Sequence, residues 1–92
     1  MVTVELTRHL YTFFPNLHDQ ALAVQATNIA EVVAQLEQLA PGIGFYLCDE
    51  QGRLRTHVNV FIGNEMIRDR RRLSDPVQAG DRVSILQALS GG

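Results

Sequence analysis

The sequence predicts a two-layer α+β fold, in which one amphipathic helix covers one face of a mixed sheet of four or five strands. Apolar and polar residues alternate near both ends of the chain, which is typical of half-buried strands. Between them, residues 29–39 carry apolar side chains at helical spacing. With 92 residues, 46% of them hydrophobic and 20% charged, the chain is expected to form a single domain over residues 1–92.

The first two predicted strands form a hairpin. Val2, Val4 and Leu6 alternate with polar residues and give the first strand an apolar face. Residues 21–26 predict a second short strand, although alanine is a poor strand former. Residues 9–19 between them are predicted to form a loop rich in aromatic side chains. We interpret this loop as a lid on the core, and the alternative is a docking surface, since aromatic residues are enriched at interfaces.

The predicted helix begins after Asn28 and ends at Ala40-Pro41-Gly42, because proline and glycine stop a helix. Asn28 and Glu31 have the spacing of a capping box, in which each side chain accepts a hydrogen bond from the backbone near the other. The face predicted to pack on the sheet consists of Ile29, Val32, Val33, Leu36 and Leu39.

After the helix, residues 43–48 predict a single helical turn, and Gly52 is expected to adopt the left-handed conformation in a polar turn. Residues 57–62 form the clearest strand of the chain, with Val58, Val60 and Ile62 on one face.

The remainder of the chain predicts a turn, a short strand and a final strand. Gly63-Asn64 turns the chain back towards Met66-Ile67. Residues 68–72 are a charged surface stretch, and residues 73–79 form a loop that leads to the last strand, around Val83 and Ile85. The order β-β-α-β-(β)-β, with a single main helix and an exposed final strand, predicts a β-grasp.

The chain ends in a segment that cannot fill a core. Ser90, Gly91 and Gly92 carry little or no side chain, so a tail of about residues 89–92 is expected to leave the domain and stay mobile. Tandem glycines can thread a narrow channel, which suits a terminal carboxylate that a partner enzyme must grip and modify. An incidental ending is the alternative, and two glycines at a given place arise by chance in about 0.5% of chains.

The sheet face that the helix leaves uncovered is predicted to carry an apolar cluster. If Val58 and Ile85 face the helix, alternation turns Phe61, Leu86 and Ala88 to the open face, close to the tail. Such a cluster beside a functional end suggests partner docking, although scattered surface apolar residues are ordinary. Arg70, Arg71 and Arg72 are expected either to attract an acidic partner by their charge or simply to form a solvated turn.

No catalytic site of the chain's own is expected. His9, His18 and His57 share no ligand spacing with one another or with Cys48, so metal binding is not expected. A glycine-rich phosphate loop is missing, and no bound cofactor is predicted. The single cysteine excludes an internal disulfide.

Charge and hydropathy restrict the expected partners and location. The net charge of −2 gives no reason to expect nucleic-acid binding. No segment approaches the ~20 apolar residues of a membrane span, and the first residues lack the pattern of a signal peptide. A cytoplasmic protein that does not bind a membrane is therefore the expectation.

The segments Gly52–Ile62 and Gly80–Leu86, followed by the terminal Gly91-Gly92, resemble the ubiquitin-like sulfur carriers of the ThiS/MoaD family. The resemblance covers essentially the whole chain and is most specific over residues 52–92. It implies that an E1-like enzyme uses ATP to adenylate the Gly92 carboxylate and that sulfur then replaces AMP to give a thiocarboxylate. It also implies that Ser90 and Gly91 thread the partner's channel, and that a second enzyme accepts the sulfur.

Details of the resemblance leave the pathway open. Many relatives carry a proline where this chain has Gln87, and the thiamine-pathway carriers are typically shorter. The length and the strand that begins His57-Val58-Asn59-Val60 look more like the cysteine-biosynthesis carriers, whose partner is a cysteine synthase, and like longer MoaD-type proteins. The alternatives are the small subunit of molybdopterin synthase bound to its large subunit, a modifier joined to lysines of other proteins through Gly92, and a plain β-grasp interaction module.

Overall fold

Five strands form one mixed sheet in a computed structural model that describes residues 1–17 and 22–87. The spatial order of the strands is β2-β1-β5-β3-β4. β1 and β5 are parallel, and the other neighbouring pairs are antiparallel, which confirms the predicted mixed sheet. The strands are β1 (Val2–Leu6), β2 (Leu22–Val24), β3 (Val58–Ile62), β4 (Glu65–Met66) and β5 (Arg82–Gln87).

The main helix packs across one face of this sheet, as predicted. The helices are α1 (Arg8–Phe13), α2 (Ile29–Leu39) and α3 (Ile43–Leu47), with a 3-10 turn at Pro15–Leu17. The inward face of α2 buries Ile29, Val32 and Leu36 completely against the sheet. These side chains join the buried residues of the strands in one hydrophobic core, as expected for a two-layer fold.

The predicted capping box forms at the beginning of α2, with one variation. The Asn28 side chain accepts a hydrogen bond from the Glu31 N–H at 2.8 Å. The Glu31 carboxylate in turn accepts from the Thr27 N–H at 2.7 Å and from the Thr27 hydroxyl at 2.8 Å, one residue before the usual partner. The backbone hydrogen bond from Thr27, and then that from its hydroxyl, lower the pKa of Glu31.

The prediction that Leu39 packs inward is wrong. Its side chain is 46% exposed, whereas Ala40 is almost fully buried. Residues four apart lie on the same face of a helix, so the buried row formed by Val32 and Leu36 continues to Ala40. The Ala40 N–H still donates to the Leu36 carbonyl at 2.8 Å, which keeps Ala40 in line with that row as the helix ends.

The prediction of a loop over residues 9–19 is also wrong, because α1 and the 3-10 turn occupy most of the segment and residues 18–19 lie outside the described residues. Leu10, Phe14 and Leu17 have helical spacing, which the loop interpretation overlooked. Leu10 and Leu17 are fully buried, so the segment does cover the core as a lid would. Phe13 stays exposed, with its ring 5.4 Å from that of Tyr46.

Most other elements agree with the sequence prediction. The second strand pairs with β1 as a hairpin but is shorter than residues 21–26, and residue 21 lies outside the described residues. The single helical turn is present as α3, and Gly52 adopts a left-handed conformation with φ +80°. Within the described ranges, no helix has the length and apolar character needed to cross a membrane.

Candidate functional site

The prediction of an exposed final strand is wrong, because the strand that leads to the tail lies in the middle of the sheet. β5 pairs with β1 on one side and with β3 on the other. Its inward side chains, Val83 and Ile85, are fully buried. The predicted tail, residues 89–92 with Ser90, Gly91 and Gly92, lies outside the described residues, and so does Ala88, which was predicted to join the docking face. The roles of these residues stay predictions.

The predicted orientation towards the open face is confirmed for Phe61 and Leu86. Val58 and Val60 are fully buried on the helix side, so Phe61 points away from the helix. Phe61 lies opposite Ser84 in the register of β3 and β5. Leu86 stands two residues further along β5 and is 45% exposed. Phe61 and Leu86 are therefore diagonal neighbours on one face, a spacing that an aromatic side chain can bridge.

Met66 completes this surface, although it was not among the residues predicted to dock a partner. It lies directly opposite Phe61 in the pairing of β3 and β4, and its side chain is 49% exposed. The two-residue turn Gly63-Asn64 is a strong hairpin signal that would have fixed this register from the sequence. We call Phe61, Met66 and Leu86 the open-face cluster.

Arg70 adjoins the open-face cluster but is held by hydrogen bonds. Its guanidinium donates to the Asn59 side chain at 3.2 Å, and Asn59 lies opposite Leu86. It also donates to the carbonyls of Arg55 and Val58, each at 2.7 Å. The planar guanidinium suits such multiple contacts, which a lysine could not reproduce. Arg70 therefore combines a charge near the predicted docking face with a structural role.

Arg71 and Arg72 are exposed on a turn that Asp69 organises. The Asp69 carboxylate accepts hydrogen bonds from the Arg71 N–H at 3.1 Å and from the Arg72 N–H at 2.9 Å. It also accepts from the hydroxyl and the N–H of Ser74. The Ser74 hydroxyl first, then the Arg72 N–H and the other donors, lower the pKa of Asp69 to about 2. The turn is thus fixed by a carboxylate that stays ionised at neutral pH.

Cys48 is a buried thiol with little nucleophilic character. Burial, followed by the negative charge of Asp49, raises the pKa of the thiol, so the thiolate is scarce at neutral pH. It lies beside a shallow, mostly apolar groove of about 540 Å³ between α2 and α3, which Val33 and Phe45 also line. His57 is exposed, and no group of three or more His, Cys, Asp or Glu residues within the described ranges could hold a metal ion.

The five-stranded mixed sheet with α2 across one face defines this protein as a member of the ubiquitin-like β-grasp class. Within this class the chain belongs to the ThiS family, whose model matches residues 5–92.

The relatives with known structures include two CysO proteins. The sulfur carrier protein CysO of Mycobacterium tuberculosis is 29% identical over 75 residues, which is 79% of this chain and 81% of that protein. The crystal structure of M. tuberculosis CysO has a TM-score of 0.81 at 28% identity, over 97% of this chain and all of the other. A chain of the Amycolatopsis orientalis BexX/CysO complex has a TM-score of 0.83 at 26% identity, over the whole of both chains.

A more distant likeness is to an archaeal protein. The small archaeal modifier protein 1 of Methanosarcina acetivorans has a TM-score of 0.77 at 21% identity, over 99% of this chain and 95% of that protein. At this level of identity the likeness shows a shared fold alone.

Proposed function

We propose that this chain is a cytoplasmic sulfur carrier whose Gly92 carboxylate is adenylated by an E1-like enzyme and converted to a thiocarboxylate. The observation that carries the proposal is that this ThiS-family chain has Gly91-Gly92 shortly after the central strand of its sheet, β5. Its similarity to sulfur carriers named CysO supports the choice of sulfur as cargo. The chain acts in this scheme as a co-substrate, and the partner enzyme supplies the catalytic groups.

The chemistry explains why a carrier needs an activating partner. A carboxylate resists nucleophilic attack until one oxygen becomes part of a leaving group. Attack of the Gly92 carboxylate on ATP releases pyrophosphate and forms an acyl-adenylate. Sulfide then attacks the carbonyl carbon and expels AMP, which leaves a thiocarboxylate; if a persulfide attacks instead, a second thiol must cleave the resulting S–S bond. ATP is a substrate of the partner and is not a bound cofactor of this chain.

The open-face cluster is the surface that we assign to docking of the activating enzyme. Its three apolar side chains lie on the sheet face opposite α2, and Leu86 is next to the last described residue before the tail. A partner that covers this face would bury apolar area and receive the tail at the same time. Ser90 and Gly91 would then occupy its channel, and the exposed Arg71 and Arg72 would favour an acidic partner.

For the enzyme that accepts the sulfur, we propose a cysteine synthase-like protein. The supporting observation is that relatives matched over about 80% of both chains are named CysO. The sequence also resembles cysteine-biosynthesis carriers in its length and in its strand at residues 57–60. Lasting association with the large subunit of molybdopterin synthase would instead indicate the alternative, MoaD-type function.

Intact mass spectrometry tests the proposal directly. The protein is purified from its native host without reducing or alkylating agents, and a variant that lacks Gly92 serves as the control. We expect a species heavier by the difference between sulfur and oxygen, with the change located at Gly92 and missing from the control. A carboxylate alone, together with no ATP–pyrophosphate exchange in the presence of the host's E1-like enzyme, would overturn the proposal in favour of an interaction module.

A further inference from the structure

The end of β5 is fastened to the rest of the sheet by a side chain on the β1 side. The Gln87 N–H donates to the Thr7 hydroxyl oxygen at 2.7 Å, and the Thr7 hydroxyl donates to the Ile85 carbonyl at 3.3 Å. The Thr7 N–H also donates to the Ile85 carbonyl at 3.0 Å. β1 ends at Leu6, so the Thr7 hydroxyl serves as the acceptor that a further strand residue would have provided.

The position of Thr7 makes this use of its hydroxyl unexpected. Thr7 immediately precedes α1, where a threonine side chain usually accepts a hydrogen bond from the first turn of the helix. The Thr7 side chain makes no such cap, and only its carbonyl accepts from the Leu10 N–H. The hydroxyl thus binds Gln87 of β5, 80 residues away in sequence, and does not cap the adjacent helix.

On the β3 side, Arg70 takes the place of a missing strand. Hydrogen-bonded and non-hydrogen-bonded pairs alternate in an antiparallel ladder. The Gly63 N–H donates to the Arg82 carbonyl, which makes Gly63 and Arg82 a hydrogen-bonded pair. Every second pair along the ladder is of this kind, so Val58 and Gln87 form a non-hydrogen-bonded pair, and the backbone groups of Val58 point away from β5. β4 is only two residues long and does not reach Val58. The Arg70 guanidinium instead binds the Val58 carbonyl at 2.7 Å.

Both supports meet at the same point of the chain. Val58 is the partner of Gln87 in the register of β3 and β5, and Gln87 is the residue that Thr7 binds directly. The second contact of Arg70, to the Arg55 carbonyl, ties the entry of β3 to the same guanidinium. Two side chains thereby extend the sheet beyond the ends of β1 and β4, and they do so at the last described residue before the tail.

We propose that Thr7 and Arg70 are positioning residues that hold Gln87 in the sheet and thereby fix the point and direction from which the tail enters the partner's active site. This inference rests on the proposed activation of Gly92. Five residues that are fully extended in a partner's channel span about 17 Å. A rotation of about 10° at Gln87 would then displace the carboxylate by about 3 Å, and displacements of this order are sufficient to lower the rate of a bond-forming step strongly.

The test compares matched pairs of variants. Thr7→Val removes the hydroxyl with little change in shape, and Thr7→Ser keeps it. Thr3→Val is the control for the substitution itself, because Thr3 is exposed and its side chain has no hydrogen bond in the described part of the protein. Arg70→Met is matched by Arg68→Met, which removes an exposed arginine of the same turn whose guanidinium makes no contact of this kind within residues 22–87.

The first measurement is amide hydrogen exchange by NMR in the isolated chain, with thermal unfolding as a check on the fold. We expect the Gln87 amide to exchange about fivefold faster in Thr7→Val, the factor that corresponds to one hydrogen bond of ~1 kcal/mol. A smaller acceleration is expected in Arg70→Met, because Arg70 makes no hydrogen bond to Gln87 and acts on it only by holding Val58 and Asn59, the β3 residues opposite Gln87 and Leu86. Thr7→Ser, Thr3→Val and Arg68→Met should behave as the wild type. Unchanged exchange at Gln87 in Thr7→Val would overturn the proposal.

The second measurement is ATP–pyrophosphate exchange with the host's E1-like enzyme as a function of chain concentration. Thr7→Val and Arg70→Met should lower kcat about fivefold at an unchanged KM, since the open-face cluster still docks. If the variants changed only KM, or if high salt abolished the difference between Arg70→Met and the wild type, the positioning role would be overturned. Arg70 would then act by electrostatic attraction of the partner. If the wild type itself is not adenylated, the proposed function fails, and this failure is distinguishable because Gln87 exchange is measured without the enzyme.

Discussion

Single side chains replace missing backbone partners at several points of this small domain. Asn28 and Glu31 satisfy the free N–H groups at the beginning of α2, and Asp69 does the same for the turn that carries Arg71 and Arg72. Thr7 takes this role at the end of β5, where it binds the N–H of Gln87. A proline at position 87 would have no N–H and could not make this bond.

The acid stability of the protein should depend on Asp69. Hydrogen bonds to its carboxylate lower the pKa from 3.8 to about 2, so its contribution to folding is present above 3.8 and is lost as the pH falls through about 2. Asp69→Asn removes that ionisation. We therefore expect Asp69→Asn to unfold at a lower temperature than the wild type at pH 7, and the difference to shrink between pH 4 and pH 2. A difference that stays constant over this range in thermal unfolding by circular dichroism would contradict the assignment.

At the scale of elements, the two faces of the sheet carry different sets of side chains. The face against α2 buries the inward residues of β1, β3 and β5 and supplies most of the core. The other face carries the open-face cluster, formed where β4, β3 and β5 run side by side. Because β5 contributes to both faces and also leads to the predicted tail, the proposed docking on the open face and the proposed delivery of the tail would both depend on one strand.

The docking role of the open-face cluster is tested by two substitutions in the cluster and one control substitution outside it. Phe61→Ala should weaken binding to the activating enzyme about tenfold, as expected for an aromatic anchor in an interface, with a smaller loss in the free energy of unfolding. Leu86→Asp should have at least the same effect on binding, since it places a charge in an apolar contact. Phe45→Ala is the control, because Phe45 is exposed beside α2 on the other side of the molecule.

Calorimetric titration of the activating enzyme with each variant gives the affinities, and denaturant unfolding gives the stabilities. An unchanged affinity of Phe61→Ala would remove the open face from the docking model. An equal loss in Phe45→Ala would move the interface towards the helical side.

At the scale of the whole molecule, the described core is complete without the predicted tail. The buried hydrophobic residues run from Val2 to Ile85, so the core within the described residues closes before the tail begins. Loops and helices on one side complete that core, including Leu10 and Leu17 of the lid segment. Changes confined to the predicted tail should therefore leave the packing of the described core unaltered.

Deletion of Gly92 should therefore abolish adenylation and leave the fold intact. We expect the same thermal unfolding midpoint as for the full chain, because no residue of the described core is removed. ATP–pyrophosphate exchange should fall to background. Loss of the cooperative unfolding transition in the deletion variant would show that the end of the chain contributes to the core.

Much of the fold was predictable because its signals are local. Alternation in the strands, the helical spacing and cap of α2, and the left-handed Gly52 each depend on residues close together in sequence. The orientation of Phe61 and Leu86 followed from the same alternation. The error at residues 9–19 arose because the helical spacing of a short segment was overlooked. The error at Leu39 arose because the geometry at the end of α2 decides which residue turns inward.

The sequence by itself determined the α+β class, the two faces of the sheet and the Gly91-Gly92 ending, since each is a property of neighbouring residues. Only the tertiary structure decided which strands flank β5 and that Thr7 and Arg70 make hydrogen bonds at its end. These contacts join residues far apart in the chain, and their geometry follows from strand register and strand length, which side-chain patterns do not encode.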